Sequence, residues 1–381
     1  MNFHFAALGG AVIIAAVLWD AFETVVLPRR VSRKFRIAKL FYRSTWRPWT
    51  AIARLCPAGK QRELFLSFYG PLSLPLLIGI WVIGLVLGFG ILQFDAGGLA
   101  VSGDHGASFW SAIYFSSTNF FTLGLGDIVP HSSIGRFLTA VEAGTGFAFL
   151  ALLIGYLPVI YQSFSKREIS ISLLDARAGS PPTAGELLRR HSGEPGRVLL
   201  TELFQEWEKW SAELLESHLS YPVLAYFRSQ HSNQSWIAAL TAILDATALV
   251  MTGAEGACLR QAELTFAISR HAVVDLAQVF GSPPRKPPRD RLPQESLERL
   301  HAFLSAAGYK LNPGQGASDR LRELRSMYEP YVYSLAHFLH QSVPPFLAEG
   351  KRKDNWQSSP WEQKPASPTG SSHPNREEDH F

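Results

Sequence analysis

The residues best suited to chemistry lie in a short loop, TLGLGD at positions 122–127. Gly124 and Gly126 are separated by one residue, and glycine adopts backbone angles that residues with a Cβ resist. Such a backbone can turn consecutive carbonyl oxygens toward one side, and a ring of carbonyls can replace the hydration shell of a cation. The hydroxyl of Thr122 can add an oxygen at the inner end of the row. The pattern indicates cation binding by the backbone.

Three apolar stretches surround this loop in the sequence, and each is long enough to cross a lipid bilayer. They cover residues 6–27, 72–93 and 134–161. The first is interrupted by Asp20 and Glu23, the second carries no charge, and the third carries Arg136 and Glu142. A signal peptide is the alternative for the first stretch, but the opening MNFHF lacks the basic residues of such a peptide. We therefore predict three membrane spans.

Lys and Arg are distributed unevenly around these spans. Residues 29–62 contain eleven of them and no acidic residue, and no Lys or Arg lies between this segment and Arg136. Lys166 and Arg167 follow the third span. Because cytoplasmic loops are rich in Lys and Arg, the amino terminus and residues 95–104 are predicted to lie outside and the carboxyl-terminal region inside. We interpret the chain as a multi-pass protein of the plasma membrane.

The segment between the second and third spans is too short and too polar to cross the membrane fully. Residues 109–121 are nevertheless apolar enough to enter it partway. Such re-entrant backbone is tolerated where protein buries it or where it lines a water-filled path. A helix over these residues would direct the negative end of its dipole toward the 122–127 loop, which suits a cation.

The loop resembles the selectivity filter of potassium channels, T-x-G-[YFL]-G-D, and is most similar to those of two-pore-domain and related bacterial channels. The resemblance covers about residues 72–163. It implies that K⁺, as the transported ion and without any cofactor, is coordinated by oxygens of five residues, namely Thr122, Leu123, Gly124, Leu125 and Gly126. A filter of this family needs four loops. Since this chain has one, the resemblance implies a homotetramer.

The same resemblance implies roles for four supporting residues. Asp127 would brace the outer mouth of the filter through a partner on the preceding helix, for which Tyr114 is the candidate. Gly146 falls at the hinge position of the inner helix, and Gly144 is near enough to share that role. Close helix packing is an equally open interpretation of both glycines.

The basic segment over residues 31–70 interleaves its charges with aromatic residues such as Trp46 and Trp49. This pattern predicts a helix lying among lipid headgroups, with membrane lipid as its partner. The alternative is that the charges only fix the topology. The adjacent spans argue against nucleic acid as a partner. Asp20 and Glu23 share a helix face and either sense ions or pair with local arginines near the interface.

From residue 166 to 347 apolar residues recur at helical spacing, and Thr183 with Glu186 has the spacing of a helix start. No G-x-G-x-x-G motif follows a strand, so a dinucleotide-binding domain is not expected. The polar residues 348–381 are predicted to be disordered. The sequence does not indicate a ligand for the helical domain.

The sequence thus predicts an all-α membrane protein with three transmembrane helices, a re-entrant pore loop and a cytoplasmic all-α domain. The predicted divisions are a first span (1–30), a basic interfacial segment (31–70), a pore domain (71–165), a helical domain (166–347) and a tail (348–381). The predicted function is passive, potassium-selective conduction. A non-selective cation channel on the same scaffold and a membrane-anchored sensory or binding protein are the alternatives. No nucleophile–base pair or metal-ligand cluster is visible, so an enzyme is not expected.

Overall fold

Helices form nearly all of the regular structure in the computed structural model. It describes residues 3–27, 36–101, 108–231, 233–253, 258–309, 311–312, 314–348, 350 and 354–357. The chain divides into two compact units. We call Met1–Pro57 with Phe65–Gln162 the membrane unit, and Ala58–Leu64 with Ser163–Phe381 the helical unit.

The first six helices are α1 (Phe3–Ala21), which continues into a π-helical turn (Phe22–Val26), α2 (Ile37–Ala53), α3 (Lys60–Ser67), α4 (Tyr69–Ala96), α5 (Phe109–Phe120) and α6 (Ser133–Ala178). Three stretches within them are long and apolar enough to cross a membrane: Phe5–Val26, Lys60–Ala96 and Ser133–Ala178. The predicted all-α membrane protein with three spans is therefore confirmed.

Glycine allows α1 and α4 to cross closely. A Cβ added at Gly10 would lie 2.7 Å from the carbonyl oxygen of Gly88, and one added at Gly88 would lie 3.0 Å from that of Gly10. Gly84 and Gly88 form a G-x-x-x-G pattern on α4, a spacing that lets membrane helices approach at backbone distance. Trp81 and Leu85 are buried beside this crossing. They belong to the core cluster of the membrane unit, which also includes Phe149 of α6.

A short antiparallel pair of strands closes the loop between α4 and α6. Strand β1 (Leu99–Val101) pairs with β2 (Ile128–Pro130), with Ala100 opposite Val129. Helix α5 and the TLGLGD segment lie between these strands in sequence. The side chain of Ser108 accepts a hydrogen bond from the backbone N–H of Ser111 at 3.1 Å and so caps the start of α5. The strands therefore hold together, within one chain, the two ends of the stretch that contains α5 and the TLGLGD segment.

Helix α6 continues well beyond the predicted third span. The apolar stretch ends near residue 161, but the helix runs without interruption for 46 residues to Ala178. At about 1.5 Å per residue it is roughly 70 Å long, more than twice the thickness of a bilayer core. Hydropathy indicates where lipid ends, whereas helical hydrogen bonding continues through charged residues such as Lys166 and Arg167.

The helical unit contains the rest of the regular structure that is described. Its helices are α7 (Ala184–Arg190), α8 (Gly193–Ser220), α9 (Trp236–Met251), α10 (Leu259–Val279), α11 (Gln294–Ala306), α12 (Gln315–Ser326) and α13 (Glu329–Leu339), with 3-10 turns at Pro222–Tyr226 and Asn355–Gln357. Helix α9 is its centre, since every residue from Trp236 to Val250 is buried. The predicted helix start is also present, because the Thr183 hydroxyl accepts from the N–H of Glu186 at 3.3 Å.

Residues 354–357, which lie within the predicted tail, contact the helical unit. Asp354 is buried and pairs with Arg190 at 2.9 Å, and the side chains of Asn355 and Asn233 bond to each other. A polar composition predicts disorder only when the polar groups lack partners in the fold, and here they have them. Residues 358–381, together with 28–35 and 102–107, lie outside the described residues, so predictions for them stay predictions.

Candidate functional site

The backbone of the TLGLGD loop alternates in handedness. Thr122 has φ 59°, Gly124 has φ 55° and Gly126 has φ 78°, whereas Leu123 and Leu125 do not have positive φ. When right- and left-handed residues alternate, successive N–H groups converge on one side of the backbone. Along the loop, residues with positive φ therefore alternate with residues without it.

The positive φ of Thr122 arises from the way α5 ends. The N–H of Leu123 donates to the carbonyl of Thr118 at 2.7 Å, and the N–H of Thr122 donates to that of Asn119 at 2.9 Å. These are the two bonds of a Schellman motif, in which the residue after the helix is left-handed. Glycine usually holds that position, and a β-branched residue there is a genuine outlier. Backbone strain at a loop of this kind points to a functional role.

The two glycines are needed for their backbone angles and not for space. A Cβ added at Gly124 or Gly126 would meet no atom within 4 Å. The neighbouring side chains are open as well, with Leu123 63% and Leu125 62% exposed in the single chain. Apolar side chains exposed side by side mark a surface that something else covers. The loop therefore has a free flank on which another chain could pack.

Tyr114 and Asp127 are brought together. The Tyr114 side chain, on α5, lies near enough to Asp127 to be affected by the negative charge of its carboxylate. This contact joins α5 to the residue that directly follows the glycine pair. The bracing role of this pair stays a prediction.

The two glycines of α6 have different surroundings. A Cβ added at Gly146 would lie 2.0 Å from the carbonyl oxygen of Phe120, the last residue of α5, whereas one added at Gly144 would meet nothing within 4 Å. Gly146 therefore permits backbone contact between α6 and α5. Helix α6 is continuous through both positions. A hinge role for Gly146 or Gly144 stays a prediction.

Asp20 has a role that the sequence did not reveal. Its carboxylate accepts from the backbone N–H groups of Ile37 at 2.8 Å and Ala38 at 3.0 Å, and from the indole N–H of Trp81 at 3.0 Å. It therefore caps the start of α2 from inside α1 and ties both helices to α4. No sequence signal relates Asp20 to these partners. Glu23 pairs with Arg36 at 3.6 Å, as expected for pairing with a local arginine.

Helix α2 presents two kinds of surface. Phe41, Trp46 and Ala53 are buried inside the membrane unit, to which α2 belongs. Lys39, Arg43 and Arg47 lie four residues apart and are exposed, so they form one line along the outer face. A helix with a packed apolar face and an exposed basic line has the form expected at a headgroup layer.

Comparisons with known proteins include a family match over the part of the chain that contains the TLGLGD loop. Residues 76–162 match a family model described as an ion channel. The chain is 29% identical over 187 residues to the uncharacterized membrane protein YdjJ of Bacillus subtilis (strain 168), covering 47% of this chain and 52% of that protein. It is 32% identical over 125 residues to two-pore potassium channel 4 of Arabidopsis thaliana, covering 33% of this chain and 42% of that protein. No solved structure matches significantly.

The chain thus spans about half the length of the curated relatives it matches. Its resemblance to the pore family of potassium channels is supported both by the family model and by the plant relative. The matched domain, residues 76–162, carries the description ion channel, and the described residues include three helices long and apolar enough to cross a membrane. This domain contains the TLGLGD loop, α5 and the first part of α6.

Proposed function

We propose that the protein is a potassium-selective channel that conducts K⁺ passively. The observation that carries the proposal is the positive φ of every second residue of the loop, namely Thr122, Gly124 and Gly126. The loop lies inside a segment that matches an ion channel family. Oxygens of Thr122, Leu123, Gly124, Leu125 and Gly126 would replace the hydration shell of K⁺. The Tyr114–Asp127 contact would hold the outer end of this row.

Four chains are required around one axis, because each chain supplies one loop and a carbonyl filter needs four. The exposed flank of the loop, where Leu123 and Leu125 are open, supports an assembly of this kind. We therefore propose a homotetramer with the four TLGLGD loops at its centre and α5 directed toward the pore as a re-entrant helix.

The proposed setting is the plasma membrane, with the amino terminus outside and the helical unit in the cytoplasm. The excess of Lys and Arg in residues 29–62 supports this orientation. The basic line of α2, formed by Lys39, Arg43 and Arg47, would then face the headgroups of the cytoplasmic leaflet, so that lipid is its partner.

Ion flux in liposomes tests the proposal. The purified protein should carry K⁺ in preference to Na⁺, and Gly124→Ala should abolish that preference. Alanine at a left-handed position costs about 1–2 kcal/mol per chain, and the cost is repeated in every subunit. Gly79→Ala is the matched control, since a Cβ at Gly79 also meets nothing within 4 Å but Gly79 has no positive φ.

Three outcomes separate the alternatives. Equal K⁺ and Na⁺ flux that requires intact Gly124 would indicate a non-selective cation channel. Absence of any flux from a folded, reconstituted protein would favour a membrane-anchored binding protein. Flux that Gly124→Ala leaves unchanged would remove the loop from the ion path.

Cysteine labelling tests the orientation. A membrane-impermeant thiol reagent added to intact cells should not label Cys56, which follows α2, but should label it in opened cells. His131→Cys in a Cys56→Ser background is the matched control, because His131 is exposed and follows β2 on the proposed outer side. Labelling of Cys56 from outside would reverse the proposed topology.

The contact at Gly146 tests how α6 acts on the filter. Gly146→Ala would push the Cβ into the Phe120 carbonyl, so we expect reduced flux or loss of the tetramer. Gly144→Ala is a matched control two residues away with open space. If a hinge at Gly144 is what opens the pore, the Gly144 variant should instead have the larger effect on gating.

A further inference from the structure

We propose that Glu142 is a protonated carboxylic acid that positions the TLGLGD loop. It does so by joining α5, the helix that leads into the loop, to α4 and α6. It is a positioning residue and does not touch the ion. The inference rests on the proposed function for its link to the filter. Its protonation state does not depend on conduction and can be measured separately.

Three helices meet at one hydroxyl group. Glu142, on α6, is 0% exposed, and its Oε1 contacts Oγ of Ser116 on α5. The same Ser116 oxygen lies 2.8 Å from the carbonyl oxygen of Val86 on α4. Ser116 is itself fully buried. The cluster therefore links every helix that surrounds the TLGLGD loop within the membrane unit.

The protonation state of Glu142 follows from the number of hydrogen atoms that can form hydrogen bonds at Ser116. The carbonyl of Val86 can only accept a hydrogen bond, and an ionised carboxylate can only accept as well. A serine hydroxyl has one hydrogen, so it cannot donate to both. If Glu142 is protonated, it donates to Ser116 and Ser116 donates to Val86. The neutral acid satisfies both contacts, whereas the carboxylate satisfies only one.

Among the residues that the structure describes, no positively charged side chain bonds to Glu142. Helix α5 contains no charged residue, and the charged residue of α4 is the acidic Asp95. On α6 the nearest basic residue is Arg136, whose Nε donates to the carbonyl of Pro130. The second oxygen, Oε2 of Glu142, is buried without a hydrogen-bond partner. An isolated buried carboxylate is costly, and such a group becomes neutral instead.

The position of the cluster explains why it would act on the filter. Ser116 lies two residues before Thr118, whose carbonyl accepts the Leu123 N–H at the start of the TLGLGD segment. Fixing Ser116 against α4 and α6 therefore fixes the end of α5 on which the left-handed turn at Thr122 is built. Loss of the link should loosen the filter without removing any coordinating oxygen.

Infrared spectroscopy of the full-length protein tests the protonation. A carbonyl stretching band of a protonated carboxylic acid should be present at neutral pH, be lost in Glu142→Gln and shift in Ser116→Ala. Glu206→Gln is the control, because Glu206 is exposed and should leave the band unchanged. Absence of any band that depends on Glu142 would mean an ionised carboxylate and would overturn the proposal.

Single-channel recording tests the positioning role. Glutamine can donate from its amide to Ser116, so Glu142→Gln should keep K⁺ selectivity and open times close to those of the parent. Leucine fills similar volume but gives no hydrogen bond, so Glu142→Leu should shorten open times at least about threefold. Open times that are unchanged in both Glu142→Leu and Ser116→Ala would overturn the positioning role, even with the infrared band present. Absence of K⁺ current in the parent protein would instead count against the proposed function.

Discussion

Two buried aspartates, Asp245 of the helical unit and Asp20 of the membrane unit, are compensated in different ways. In the helical unit Asp245 is 0% exposed, and both of its oxygens accept from the guanidinium of Arg291. Arg291 also bonds to Glu329, which in turn bonds to Arg325. The hydroxyl of Tyr328 donates to Asp245 as well. Here full charges are balanced by full charges.

In the membrane unit Asp20 is buried just as deeply, at 1% exposed, but no cation bonds to it among the described residues. Its donors are the two backbone N–H groups at the start of α2 and the indole of Trp81. They are neutral dipoles, strengthened by the positive end of the α2 dipole. Dipoles that are already part of the fold avoid the cost of bringing a second ion into a medium of low dielectric constant.

The difference determines what a substitution leaves behind. Removing Arg291 leaves the buried carboxylate of Asp245 without a counter-charge and leaves Glu329 with Arg325 alone. Removing the charge of Asp20 leaves only neutral N–H groups without a strong acceptor. We therefore expect a larger loss of stability from removing the charge of Arg291 than from removing the charge of Asp20.

The largest expected effect is that of Arg291→Leu. It would leave Asp245 and Glu329 without their shared cation, which for a broken buried pair costs about 3–5 kcal/mol. Thermal unfolding of the solubilised protein would measure the loss. The matched control is Arg320→Leu, because the Arg320–Glu323 pair is exposed and such pairs contribute at most about 1 kcal/mol. Equal losses in the two variants would contradict the importance of burial for the Arg291–Asp245 pair.

A smaller effect is expected for Asp20→Asn. The amide keeps one acceptor oxygen but turns an NH₂ group toward N–H donors, which should cost about 2 kcal/mol through the weakened helix cap. Unfolding of the membrane unit in detergent, followed by helical circular dichroism, would measure it. A loss as large as that in Arg291→Leu would show that Asp20 is balanced by a charge and not by dipoles.

The helical unit should also lose stability in acid. Burial and the neighbouring Arg167 guanidinium lower the pKa of His218 well below its ordinary value of 6.5. Nδ1 of His218 lies 2.9 Å from the carbonyl of Leu214, and Nε2 faces Arg167 at 3.3 Å, as suits a neutral ring. Below pH 6.5 the unfolded chain therefore binds a proton that the folded chain does not.

The stability that depends on neutral His218 is complete above pH 6.5 and is lost as the pH falls below it, by up to about 1.4 kcal/mol per pH unit. His218→Gln should reduce this dependence. It should not abolish it, because burial also lowers the pKa of His191. An unchanged slope between pH 6.5 and 5 in His218→Gln would contradict the assignment.

The smallest expected effect is that of Trp81→Phe. It removes one of three donors from Asp20 and leaves the helix cap in place, so we expect a loss of about 1 kcal/mol. Trp19→Phe is the control, because Trp19 is half exposed and its indole donates to Glu23. If Trp81→Phe were as harmful as Asp20→Asn, the indole and not the α2 backbone would be the main donor.

The parts of the fold that depend on local composition were predictable from the sequence. A run of about 20 apolar residues has one stable arrangement in a bilayer, and therefore the three spans were placed correctly. The spacing of Gly124 and Gly126 likewise drew attention to the loop that proves to have alternating backbone handedness. The left-handed Thr122 was not predicted, because glycine is the usual residue at such a helix end.

The buried polar clusters were not predictable. Asp20 meets Trp81, 61 residues away, and Glu142 meets Ser116, 26 residues away. Neither pair has a fixed spacing, since the contacts depend on how helices pack and not on the sequence between them. A charged residue inside an apolar stretch signals only that some compensation exists. The sequence suggested arginines for Asp20, whereas the fold provides backbone N–H groups.

The hydrogen bonds that end α5 have a consequence for assembly. They join residues no more than five positions apart, and the β1–β2 pairing closes the surrounding segment within the same chain. Contacts of such short range form early and do not wait for a partner molecule. If the chain assembles as the proposed homotetramer, we therefore expect each newly made subunit to carry its TLGLGD loop already bent, so that oligomerisation joins preformed loops and does not have to shape them.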